Sequence, residues 1–109
     1  MLTYIAAPYS KVEDKEALMK AIAKFSGEYM LSHPGEYAMT GLFHHYAATE
    51  CTELGTDYAF WVNFCTEFLA KCDKLVVLKY KGWDTSTGVA AEISLATHWN
   101  LPVEYCEIC

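Results

Sequence analysis

Apolar residues fall along the chain in blocks that alternate between unbroken runs and helical stripes. Leu2 to Ala6 is a short apolar run that stops at Ala7-Pro8, the pattern of a buried strand ending in a turn. Ser10-Lys11-Val12-Glu13 follows, and its Ser-x-x-Glu form predicts a capping box that opens a helix. Leu18, Ile22, Phe25 and Tyr29 then recur at i, i+4, i+7 and i+11, one apolar stripe on that helix. His33-Pro34-Gly35 stops it near Ser32, because proline cannot continue the helical hydrogen bonding. Tyr37 to Thr40 reads as a second short strand. Gly41 to Gly55 has no clean period and reads as a long loop over the sheet edge, a length that in a small domain is usually functional. Thr56-Asp57 reads as the next helix start, with Trp61, Phe64, Cys65, Phe68 and Cys72 as its apolar stripe. Leu75-Val76-Val77-Leu78 is continuous and apolar, as a central strand covered on both faces requires. Gly82 to Ser86 is a polar turn. Thr87 to Trp99 is a third helix with Val89, Ile93 and Ala96 inward, Asn100-Leu101-Pro102 ends it, and Val103 to Tyr105 is a last strand.

This alternation of strands and helices predicts an α/β fold, a parallel sheet with helices on both faces. The length of 109 residues fits a single domain over 1–109, with no repeat or linker. The net charge is −6 and no Lys/Arg cluster occurs, which argues against wrapping duplex nucleic acid. A single small phosphate stays open, since the N–H groups of a helix start hold an anion without a cation. The N-terminus has no basic region followed by a long apolar run, and no segment is apolar over the length of a membrane span. A soluble, cytoplasmic protein with no membrane partner is expected. The five cysteines read as free thiols, mostly buried. No histidine or cysteine spacing suits a metal, and the terminal Cys106-Glu107-Ile108-Cys109 reads as structural or incidental thiols.

In open parallel sheets ligands sit beyond the C-terminal ends of the strands. Two such ends stand out: Ala7-Pro8-Tyr9-Ser10 after the first strand, and Gly82-Trp83-Asp84-Thr85-Ser86-Thr87-Gly88 after the central one. Both lead toward a helix N-terminus, where free N–H groups and the helix dipole favour an anion. Ser86 supplies a hydroxyl, Gly88 lets a phosphate approach the backbone, and Glu92 stands one turn further on. On spacing alone, Ser86 reads first as an N-cap and Glu92 as a solvated helix residue. Tyr9 and Trp83 are placed to stack on a base or simply to pack. His44-His45 reads as a base-contacting or lid segment, or as solvated loop residues. Trp61 reads as core, and Asp73 as a turn cap before the central strand.

Tyr-Ile-Ala-Ala-Pro at 4–8, Cys-Asp-Lys-Leu-Val-Val-Leu at 72–78 and Ser-Thr-Gly-Val-Ala-Ala-Glu at 86–92 resemble the nucleoside 2-deoxyribosyltransferase superfamily. The resemblance is closest to its small phage and bacterial branch. Gly-Trp-Asp-x-Ser-x-Gly-Val at 82–89 followed by Glu92 is typical of that branch, and Pro102-Val103 matches the closing strand. It covers essentially the whole chain in the same order. It implies a flavodoxin/Rossmann-like three-layer sandwich with a four- to five-stranded, mainly parallel sheet. It also implies N-glycosidic chemistry, in which Glu92 attacks C1' of a 2'-deoxyribose and water or a second base completes hydrolysis or transfer. Ser86-Thr87-Gly88-Val89 implies a 2'-deoxynucleoside 5'-monophosphate rather than a free nucleoside, with Ser10 and the backbone near Ala7 completing the phosphate cradle. The implied site has Glu92 and Asp84 as catalytic groups and Ala7, Pro8, Tyr9, Ser10, His45, Trp83, Ser86, Gly88 and Val89 against the substrate. No cofactor and no metal are implied. A homodimer or larger homo-oligomer is, in the host cytoplasm if the chain is phage-encoded.

One position departs from the family pattern. The aspartate that helps protonate the leaving base is here Cys65, leaving Asp57, Asp84 or His45 as stand-ins. The expected function is therefore a nucleotide-binding N-glycosidase or deoxyribosyltransferase-like enzyme. The alternatives are a non-catalytic binder of a nucleotide or nucleotide signal, and a small interaction protein that keeps only the fold.

Overall fold

In the computed structural model, which describes residues 1–55 and 58–108, four parallel strands form one sheet. They are β1 Leu2–Ala6, β2 Tyr37–Met39, β3 Lys74–Leu78 and β4 Val103–Cys106, in the order β2-β1-β3-β4. The helices are α1 Lys15–Ser32, α2 His44–Glu50, α3 Tyr58–Ala70 and α4 Thr87–His98.

The side-chain alternation of the strands builds two cores. Tyr4 and Ala6 of β1 and Leu75 and Val77 of β3 pack with Leu69, Val89 and Ala96 of α3 and α4. Ile5, Ala7, Val76 and Leu78 point the other way, onto Leu18, Met19, Ile22 and Tyr29 of α1. The result is an α/β sandwich of three layers. All five residues of β3 are buried, as its unbroken apolar run requires. Each fully buried Leu, Ile or Val contributes roughly 1.5–3 kcal/mol relative to exposure, so β3 is the strand on which both faces depend.

Several local expectations change. Helix α1 starts at Lys15 rather than at Ser10, because Val12 N–H bonds Tyr9 O at 3.0 Å and folds residues 9–12 into a turn. Asp14, not Ser10, is the N-cap, its carboxylate accepting from Ala17 N–H at 2.9 Å. The helix ends at Ser32, before Pro34, as expected. Gly41 to Gly55 is not a bare loop: α2 lies there between single 3-10 turns at Gly41–Phe43 and Thr52–Leu54. A helix of seven residues is under two turns and too short to print a period on the sequence. On α3 the buried line runs through Trp61 and Leu69, with Cys72 buried in the turn just after the helix; Leu69 is 0% exposed whereas Phe68, placed on the stripe by spacing, is 36% exposed. The expected helix start at Thr56-Asp57, and Cys109 of the terminal Cys-x-x-Cys, lie outside the described residues.

Strand β1 passes to β2 through α1 on one face, and β2 returns to β3 through α3 on the other. The strand order therefore reverses between β1 and β3, which leaves a crevice beyond their C-terminal ends. The opposite ends of the strands are tied by charge. Lys74 opens β3 with 8% of its side chain exposed and pairs with Glu36 at 3.1 Å and Glu104 at 3.2 Å. Burial pulls its ammonium pKa down, but the bonds to Tyr29, Glu36 and Glu104 outweigh that and hold it up. Glu36 also accepts from Thr3 Oγ1 at 3.0 Å and the Tyr29 hydroxyl at 2.7 Å, so the buried charge is fully partnered. Asp73 caps the other side, accepting from Leu2 N–H at 2.7 Å. Among the described residues no helix is long and apolar enough to cross a membrane.

Candidate functional site

The crevice holds a pocket of about 200 Å³. Its rim is the start of α4. Gly82 takes a left-handed φ of 95°, which lets β3's exit loop turn back into a 3-10 turn at Trp83–Thr85. Ser86 then stands extended as the N-cap, its Oγ accepting from Val89 N–H at 3.3 Å. That leaves the first N–H groups, on Thr87 and Gly88, without intrahelical partners, and the hydroxyl hydrogen of Ser86 free to donate. A Cβ built at Gly88 would meet nothing nearer than Ser86 Oγ at 3.9 Å, so the space over the helix start is open. The exit of β1 faces it, with Ala7, Pro8, Tyr9 and Ser10 lining the same pocket. Lys11 and Lys81, one from each exit loop, also line it. The sequence holds no basic cluster, but the fold brings these two lysines to the lining of one pocket.

Deeper in, Glu92 lines the pocket one turn into α4, and among the described residues it is the one carboxylate whose pKa is pushed clearly upward. Burial raises its pKa from the ordinary 4.5 to about 7, partly opposed by a hydrogen bond from the Tyr4 hydroxyl. Tyr4 projects from the middle of β1 and is buried. Burial, the neighbouring Glu92 and Cys65 hold its hydroxyl protonated far above the usual phenol range, so it donates. Cys65 of α3 sits beside it, its thiol pushed up to about 11 by burial. A proton held that firmly makes a poor acid and a poor nucleophile. Gly41 closes the cluster from below: a Cβ there would run into the Tyr4 hydroxyl and lie 2.7 Å from Cys65 Sγ, so this position must be glycine.

The remaining wall is aromatic. The Tyr9 and His44 rings lie 4.6 Å apart and the His44 and Trp61 rings 4.9 Å apart, all three lining the pocket. His44 Nδ1 lies 3.2 Å from Gly41 O. Burial lowers its pKa, with the Gly41 carbonyl opposing and His45 adding to the fall, so the ring stays neutral at pH 7.

Residues 1–107 match the family described as Domain of unknown function (DUF1937). The chain belongs to that family. No curated protein matches it.

In this DUF1937 chain the pocket brings together Ala7, Pro8, Tyr9, Ser10, Ser86, Gly88 and Glu92 from the expected site. It does not gather the others. Asp84 is exposed on the 3-10 turn and Trp83 turns away to pack near Tyr105, with ring centroids 5.7 Å apart. The Val89 side chain is core, and only its N–H serves the rim. His45 lies behind Tyr9, 2.8 Å from the Tyr9 hydroxyl and 2.8 Å from Glu16 Oε1. Its neighbour His44 takes the lining position. Trp61, Lys11 and Lys81 on the DUF1937 pocket lining, and Tyr4 beside Glu92, were not singled out as site residues from the sequence, and His44 was named there only together with His45. Tyr4 alone carried a signal: a phenol inside an aliphatic strand needs a buried partner for its hydroxyl.

Proposed function

We propose that this chain binds a 2'-deoxynucleoside 5'-monophosphate and breaks its N-glycosidic bond, by hydrolysis or transfer, with Glu92 as the nucleophile. The observation that carries the reading is the sharing of one pocket by a buried carboxylate and an open helix start, one turn apart on α4. One turn is about 5.4 Å, a span that a sugar phosphate bridges. The phosphate rests on the N–H groups of Thr87 and Gly88, takes the Ser86 hydroxyl hydrogen, and is neutralised by Lys11 and Lys81. C1' then faces Glu92. A carboxylate oxygen bonds to C1' as the C1'–N bond breaks, the bond's electron pair leaves with the base, and the base takes a proton. Water, or a second base, then opens the glycosyl ester. Tyr4 keeps the carboxylate aimed. Because Glu92 ionises around pH 7, the rate rises with pH through that range. The resemblance of segments 4–8, 72–78 and 86–92 to nucleoside 2-deoxyribosyltransferases supports the same chemistry and extends it to a cytoplasmic homodimer or larger assembly. The exposed Tyr37 and Met39 of edge strand β2, with Phe43 and Tyr46 nearby, suit such an interface.

Incubation with a panel of deoxynucleoside 5'-monophosphates should release free base, and Glu92→Ala should abolish the release. Equal release from the variant overturns the mechanism.

A second reading is a binder that turns over little, and Cys65 favours it. No carboxylic acid other than Glu92 lines the pocket among the described residues, and Asp57 lies outside them. Loss of general acid catalysis costs about 10²–10⁴-fold in rate. Tight binding by calorimetry without base release supports this reading, and release gained by Cys65→Asp would identify the missing proton donor.

A further inference from the structure

The aromatic wall has a one-sided hydrogen-bonding character that the chemistry at Glu92 does not use. Five polar side chains line it: Tyr9, His44, Trp61, Cys65 and Thr66. Each donor among them is already directed at a protein acceptor. Trp61 Nε1–H donates to Gly55 O at 3.1 Å, Thr66 Oγ1–H to Val62 O at 2.7 Å, and the Cys65 thiol points at Gly41 O at 3.9 Å. Tyr9 meets His45 Nδ1 at 2.8 Å while His45 Nε2 meets the Glu16 carboxylate at 2.8 Å. A carboxylate only accepts, so Nε2 carries a hydrogen, and in the neutral ring Nδ1 accepts from Tyr9.

His44 is the deciding group. Its Nδ1 faces the Gly41 carbonyl, which only accepts, so Nδ1 bears the hydrogen. In the neutral ring Nε2 is then a bare lone pair. Every fully buried side-chain N or O of the described residues has a partner. Nε2 has none among them, so it is open, on a ring that lines the pocket. The Thr66 oxygen likewise keeps only lone pairs to offer, since turning its hydrogen inward breaks the bond to Val62.

We propose that this pocket selects bases with an amino group at pyrimidine C4 or purine C6, cytosine and adenine, over those with a keto oxygen there, because its wall has spent its donors and presents acceptors, with His44 Nε2 foremost. The proposal rests on the reading of the pocket as a nucleotide site. An amino group donates to these lone pairs; a keto oxygen faces them unpaired and loses its hydrogen bonds to water.

The test uses Glu92→Gln, which holds substrate without attack, and calorimetry on two isosteric pairs, dCMP with dUMP and dAMP with dIMP. Deoxyribose 5-phosphate serves as the probe without a base. The sugar phosphate is common to each pair, so differences report the base alone. The expected result is binding of dCMP and dAMP about tenfold or more tighter than dUMP and dIMP. His44→Phe in the same background keeps a ring between Tyr9 and Trp61 and removes the lone pair. It should shrink the preference to near unity while deoxyribose 5-phosphate binds as it does without the His44 change. Binding of the keto nucleotides as tightly as the amino ones overturns this proposal and leaves the nucleotide reading standing, and a preference that survives His44→Phe overturns the assignment to His44. Failure of all four nucleotides and of deoxyribose 5-phosphate to bind overturns the nucleotide reading, and this proposal with it.

Discussion

Glu92→Gln should make the protein more stable, increasingly so as pH rises from 4.5 to 7 and fully above it. The folded chain holds the Glu92 proton to about pH 7, whereas an ordinary carboxylate releases it near 4.5. Between those values the folded state binds more protons than the unfolded one, so stability falls as pH rises, and the full cost is present above pH 7. The folded state favours the protonated carboxyl by between two and three powers of ten, and each is worth about 1.4 kcal/mol, which sums to about 3 kcal/mol. Glutamine keeps the shape and still accepts from Tyr4, but carries no charge to desolvate. In a domain of this size 1 kcal/mol moves the melting temperature by about 4 °C. The variant should therefore melt about 10 °C above the parent at pH 8.5 and close to it at pH 4. Thermal melts followed by circular dichroism at the two pH values measure this. A difference no larger at pH 8.5 than at pH 4 refutes the claim that Glu92 is strained by burial, and with it the picture of a poised nucleophile.

Three further outcomes follow from the same geometry. Tyr4→Phe removes the hydrogen bond that lowers the Glu92 pKa, so the acid limb of the base-release profile should move to higher pH; a limb that stays or moves down contradicts the Tyr4–Glu92 contact. Gly41→Ala forces a methyl group against Tyr4 and Cys65 and should cost about 1–3 kcal/mol, read as a drop of several degrees in melting temperature; an unchanged melt contradicts the close approach. Glu36 is held down to about 2 by hydrogen bonds from Tyr29 first, then Lys74, with Thr3 adding, so its contribution is present above pH 4.5 and lost as pH falls toward 2. Glu36→Gln should flatten the fall of melting temperature from pH 5 to pH 2.5, and a parallel fall in parent and variant would exclude Glu36 as its source.

The elements were legible where one periodicity runs long enough. The α1 stripe, the apolar run of β3 and the Pro34 stop each state a local structure outright. What stayed hidden was of two kinds. A seven-residue α2 shows no period, so its orientation, which puts His44 inward and His45 behind Tyr9, has no sequence signature. The other kind is convergence. Lys11 and Lys81 look like scattered surface charges until the β1 and β3 exits meet, and Tyr4 and Cys65 meet Glu92 only once α3 and α4 cover the sheet. The Ser86–Glu92 spacing was readable because rim and carboxylate share one helix. The partners of the Glu92 carboxylate were not, because nothing local in the sequence ties Tyr4 or Cys65 to it.

The reversal of strand order between β1 and β3 has a consequence for how ligand and folding are coupled. The two halves of the crevice come from distant stretches of the polypeptide, and neither half alone carries the full pocket lining. Occupancy therefore requires the sheet to be assembled with its three crossovers, through α1, α3 and α4, docked. A bound small molecule should then slow amide hydrogen exchange throughout all four strands rather than only in the loops it touches, and fragments cut between α2 and α3 should bind nothing until they are mixed.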